Sequence, residues 1–116
     1  MAGARVWGAG DRTGGPIDEV FADLRGEFPD LVIERLVGTY PADDDNVFWL
    51  SIGPSPRFRG KESVQVDTYP GGRPPFLMEG ERQRGEYSEA KNALDALALL
   101  RNWLQRRATG SSQARQ

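Results

Sequence analysis

Read as apolar and polar positions, the chain changes period twice. Ile17, Val20, Phe21, Leu24 and Phe28 recur at intervals of three and four, which places all five on one stripe of a helix. Pro16 suits the first helical turn, and Asp18 and Glu19 complement the positive end of the helix dipole. Phe28-Pro29 stops the helix, because a residue before proline avoids the α region. The period then shortens. Leu31–Thr39 and Val47–Ile52 are apolar, rich in β-formers and separated by the turn-forming stretch 40–46, which predicts an antiparallel hairpin. Ser63–Tyr69 and Pro75–Glu79 supply two more strands on either side of Pro70-Gly-Gly-Arg-Pro74. Pro74 and Pro75 have no amide donor, so the last strand is expected to be short or at an edge. The helical period returns at the end. With Ser88 as N-cap, Ala90, Ala93, Leu94, Leu97, Leu100 and Leu104 form one stripe, which Ala96, Leu99 and Trp103 widen.

These elements predict an α+β fold in the order α-β-β-β-β-α, a four-stranded antiparallel meander with two helices packed on one face. Residues 1–14 read as a flexible N-terminal arm, 15–107 as a single domain and 108–116 as a disordered basic C-terminal tail. Within the arm, Val6 and Trp7 are the residues able to dock on the domain or to add an edge strand. Strand alternation turns Phe48, Leu50, Ile52, Val64, Val66, Phe76 and Met78 towards the helices. It turns Trp49, Gln65, Asp67, Leu77 and Glu79 the other way, onto a face with no helix over it.

Composition narrows the chemistry. No histidine and no cysteine occur in 116 residues, which removes the usual neutral-pH proton carrier, the thiolate nucleophile and the common zinc ligands. The expectation is a protein with no cofactor and no enzymatic activity. Paired carboxylates such as Asp67 and Glu79 are the kind that general acid and base catalysis uses, but a pair on an open sheet face lacks the enclosing cleft that such work requires. No run approaches the ~18 apolar residues of a membrane span, and the segment Met1-Ala-Gly-Ala-Arg-Val-Trp-Gly8 has no signal-peptide core, so the expected place is the cytoplasm.

Charge is unevenly spread. Residues 1–100 carry 11 basic and 17 acidic side chains, net −6, whereas residues 101–116 carry four arginines and no acid. An acidic body repels phosphate backbones and suits a basic protein partner. The reading that follows is a small acidic protein-binding module, of the kind that serves as an immunity-type neutraliser of a basic toxin or nuclease. Its expected contact residues are Asp43, Asp44, Asp45, Asp67 and Glu79, with Trp49 as the aromatic anchor. The acids of 43–45 are consecutive rather than alternating and lack the closing glutamate of an EF-hand loop, so no metal site is expected there.

Two other readings stand beside it. Arg57, Phe58, Arg59 and Lys61 interleave cations with an aromatic, a pattern able to hold a nucleic-acid strand. The segment Ser88-Glu-Ala-Lys-Asn-Ala-Leu-Asp-Ala-Leu-Ala-Leu-Leu100 resembles the second helix of double-stranded RNA-binding domains, whose α-β-β-β-α order is also similar to the one inferred here. That resemblance implies RNA backbone contact at the start of the helix, where Lys91 matches the family's lysine cluster. The third reading is structural: the broad apolar circumference of the second helix suits a homodimer.

Overall fold

A computed structural model describes residues 3–37, 47–52, 63–80 and 87–113. The elements run β1 (Gly3–Val6), α1 (Ile17–Glu27), β2 (Leu31–Val37), β3 (Val47–Ile52), β4 (Val64–Tyr69), β5 (Arg73–Gly80), β6 (Tyr87–Ala90) and α2 (Ala93–Gln113). Among the described residues the strands form one antiparallel sheet in the order β1-β2-β3-β4-β5-β6. The α+β class and the meander agree with the sequence reading, but the sheet has six strands rather than four.

The first added strand comes from residues 1–14. β1 pairs with β2 along Gly3↔Val37 to Val6↔Glu34, and the Trp7 amide extends the ladder by donating to the Ile33 carbonyl at 2.8 Å. Trp7 is then carried into the core, edge-on to Phe48 with ring centroids 5.5 Å apart. The second added strand, β6, uses Ser88 to Ala90, which the apolar periodicity assigns to a helix. The helix begins later: Asn92 Oδ1 accepts the Asp95 amide at 2.8 Å and the Asn92 carbonyl accepts the Ala96 amide at 3.1 Å, so Asn92 rather than Ser88 is the N-cap. At its other end α2 continues to Gln113, past the expected boundary at 107. No proline interrupts that run, and each further helical residue adds a backbone hydrogen bond.

β5 departs from expectation in the same direction. It is eight residues long and interior, flanked by β4 and β6. The β4–β5 register shifts between Asp67↔Leu77 and Tyr69↔Arg73, so the β5 side carries two extra residues over this stretch, and Pro74 and Pro75 lie within it. Residues that cannot donate are thereby placed where the regular ladder is interrupted.

Both helices cover one face. Ile17, Val20, Phe21 and Leu24 of α1 and Ala96, Leu100, Trp103 and Leu104 of α2 share one buried cluster with Ile33, Phe48, Leu50, Val64, Val66, Phe76, Met78 and Ala90. Burying a side chain such as Leu24 or Leu100 contributes ~1.5–3 kcal/mol, so this layer dominates stability. The helices also meet through Arg101 Nε, which donates to Glu27 Oε2 at 2.6 Å. Both side chains are substantially exposed, and such a pair adds at most ~1 kcal/mol. Among the described residues no helix is long and apolar enough to cross a membrane.

The turn between β4 and β5 is locked to the start of α1. Gly71 and Gly72 have φ of +79° and +69°, backbone that side chains other than glycine rarely adopt. A Cβ on Gly72 would stand 2.1 Å from Thr13 Oγ1 and 2.7 Å from Ile17 Cγ2, so the turn presses its backbone directly onto the helix entry.

Candidate protein-binding surface

The register of the sheet decides which side chains share its helix-free face. One row crosses all six strands: Val6, Glu34, Trp49, Gln65, Glu79 and Tyr87 are successive cross-strand partners. The next row runs Val47, Asp67, Leu77 and Glu89. Neighbouring partners in a row are ~5 Å apart, so their side chains are adjacent on the face. Among these ten residues are four carboxylates and no lysine or arginine.

The face is not uniformly open. Trp49 lies on it, as strand alternation predicts, but is only 5% exposed, and Glu34 and Ser51 are buried beside it. Trp49 is therefore a packed member of this layer and not an exposed anchor. Val6 is exposed at the β1 edge, and the accessible acidic part lies towards β5 and β6: Glu79, Tyr87 and Glu89 are exposed, and Asp67 and Leu77 are half-buried between them and the closed centre. Tyr87, 55% exposed, supplies the solvent-facing aromatic that Trp49 does not. Asp67 and Glu79 are diagonal neighbours, since Asp67 faces Leu77 and Glu79 faces Gln65. Gln65 Nε2 donates to Asp67 Oδ1 at 2.9 Å, which fixes that carboxylate along its own strand.

Glu34 differs from the other acids. Its Oε1 is buried without a hydrogen-bond partner, and burial raises its pKa above the ordinary glutamate value. It occupies a position between Val6 and Trp49 in the row, so its two cross-strand partners are apolar or aromatic.

Of the remaining expected site residues, Asp43, Asp44 and Asp45, and likewise Arg57, Phe58, Arg59 and Lys61, lie outside the described residues. Lys91 is exposed in the two-residue link between β6 and α2, with Glu89 two positions before it in β6. The structure does not place Lys91 within a helix, and the α-β-β-β-α order of the RNA-binding resemblance is replaced by β-α-β-β-β-β-β-α. Among the described residues no three acids come together as a possible metal site. On α2 the stripe read from the sequence is mostly spent inside the chain: Leu100, Trp103 and Leu104 are buried, and Leu94, at 76% exposed, is the large apolar side chain left outside.

Glu34, Tyr87 and Glu89 are members of this surface that the sequence reading does not single out. Glu34 sits in an apolar strand run where alternation alone marks it as outward, and that signal was available. Tyr87 and Glu89 are hidden because Tyr87–Ala90 merges with the alanine-rich helical pattern that follows. No family model, no curated protein and no solved structure is significantly similar to this chain.

Proposed function

We propose that this protein is a binding module for a basic protein partner, the role an immunity-type neutraliser of a basic toxin or nuclease would fill, and that contact is made at the β5–β6 end of the helix-free sheet face. The observation that carries the reading is the cross-strand arrangement of Asp67, Glu79 and Glu89 around Leu77 and Tyr87, with no cation in either row. Carboxylates at the rim steer association and reject like-charged partners, while an amphipathic aromatic beside an aliphatic side chain supplies the buried contact. The anchor is Tyr87 with Leu77, since Trp49 is already packed. The same charges oppose a nucleic-acid backbone next to Lys91.

The test immobilises the full chain at about 0.15 M salt, where exposed charges act over ~8 Å, and identifies what is retained from lysate of the source organism. The expected result is one stoichiometric basic protein whose association rate falls about tenfold in an Asp67→Asn, Glu79→Gln, Glu89→Gln variant. Binding that is indifferent to all three substitutions, or retention of RNA in place of protein, overturns the proposal.

A further inference from the structure

The chain is acidic overall, yet one corner of the helix-covered side gathers guanidinium groups. The Trp7 ring lies under Arg5 at 5.1 Å and Arg35 at 4.6 Å from its centroid. Beside it, the segment after β1 and the flank of α1 enclose a cavity of about 220 Å³ whose apolar wall includes Trp7, Phe21 and Ala22 and whose cations are Arg12 and Arg25. An apolar cavity of ~150 Å³ already accepts benzene. This one has room for a planar ring and a small headgroup.

The acids at the cavity are held by hydrogen bonds, and each also offsets the charge of a cavity arginine. Asp18 accepts the Thr13 amide and hydroxyl, both at 2.8 Å, and the Gly14 amide at 2.9 Å. Burial pushes its pKa up, but these hydrogen bonds and the charge of Arg12 outweigh it and hold the group below the ordinary aspartate value. Asp11 accepts the Gly8 amide at 2.6 Å and faces Arg5 at 3.6 Å. The arginines, by contrast, have donors to spare. Arg12 uses only Nη1, on the Ala9 and Asp11 carbonyls. Arg25 uses Nη2 on the Trp7 carbonyl and forms no ion pair among the described residues. Burial weakens its hold on the proton, Asp11 opposes that, and Arg12 adds repulsion. Two guanidiniums with free donors, each partly offset by an aspartate, are thus kept at one largely apolar cavity.

We infer that this cavity binds a small planar organic oxyanion, an aryl carboxylate or aryl phosphate, with the ring against Trp7 and Phe21 and the oxygens on Arg12 and Arg25. Guanidinium suits such headgroups because its planar fork donates two parallel hydrogen bonds, and both arginines keep unused donors for them. The inference is independent of the acidic surface on the other side of the sheet.

The test titrates the full chain with benzoate, phenyl phosphate and neutral benzyl alcohol, followed by amide NMR. Saturable shifts at Gly8, Ala9, Ala22 and Arg25 are expected for both anions, with the tighter of the two identifying the headgroup. Benzyl alcohol should bind at least about tenfold more weakly, since it lacks the charge-assisted hydrogen bonds. Arg12→Gln, at an exposed position, should weaken the anions about tenfold while lowering the melting temperature only slightly, through its two backbone contacts. Ala22→Leu, which places a side chain at the cavity wall from the helix surface, should abolish binding while the sheet spectrum is retained. Shifts that never saturate, equal affinity for benzyl alcohol, or indifference to both substitutions would overturn the inference.

Discussion

The carbonyl oxygen of Gly72 accepts a hydrogen bond from the amide of Ile17 at 3.2 Å, so a turn of the sheet satisfies one of the open donors at the start of α1. The contact is possible because Gly72 has no side chain and holds a positive φ. Gly72→Ala should therefore destabilise the protein by ~2–3 kcal/mol, combining backbone strain with displacement of Thr13 and Ile17. Gly71→Ala, with a positive φ but only an ordinary contact to Arg73 Nε at 3.9 Å, should cost only ~1 kcal/mol. Gly26→Ala, inside α1 with nothing within 4 Å, should stabilise by ~0.5–1 kcal/mol. Chemical denaturation of the three variants checks the ranking; equal losses at 71 and 72 would refute the packing argument.

Glu34 makes stability depend on pH. Its folded-state pKa is raised above the ordinary 4.5, so the folded chain binds this proton more tightly than the unfolded chain does. Its contribution is most favourable below 4.5 and is lost as pH rises from there through the raised folded value. Glu34→Gln should remove that slope and stabilise the protein by about 1 kcal/mol at pH 7, with little effect at pH 4. Melting curves of both proteins across this range measure it; parallel pH profiles would count against a strained buried carboxyl.

Asn92 should matter to α2 in a way Ser88 does not. Removing its side-chain acceptor in Asn92→Ala should cost ~1 kcal/mol, and Asn92→Asp should keep most of it. Ser88→Ala removes no cap and should change stability by less than ~0.5 kcal/mol. Thermal unfolding separates the two cases.

Trp7 ties the first strand to the core. Trp7→Ala should cost ~3–5 kcal/mol through lost burial and the loss of the ring contact with Phe48. A truncation beginning at residue 8 should lose a similar amount. If residues 1–7 could be deleted without lowering the melting temperature, β1 would be dispensable.

How much of this was legible beforehand depends on segment length. α1 could be read to within a residue because five apolar positions fit one stripe and proline brackets both ends. The inward and outward phases of β3, β4 and β5 followed from alternation and agree with the core. β1 and β6 are four residues each, too short to show a period. Ala90 misled for a specific reason: it faces the same core as Ala93 and Leu97 at intervals of three and four, so a strand residue completes a helical stripe. At the binding surface, the side of the sheet on which Trp49 sits was legible. Its burial was not, because accessibility depends on what packs alongside.

The order of strands in the sheet is also the order of strands in the chain. Each ladder joins consecutive strands, so pairing never waits for a distant segment to thread between two others. Contacts of short sequence separation lower the entropy spent before the first stabilising pair forms, which favours fast assembly for a sheet of this size. The same topology does not make every connection independent: the β1–β2 connection contains α1, whose entry is held by the β4–β5 turn through Ile17 and Gly72, so residues added to that turn would disturb the helix as well as its own hairpin.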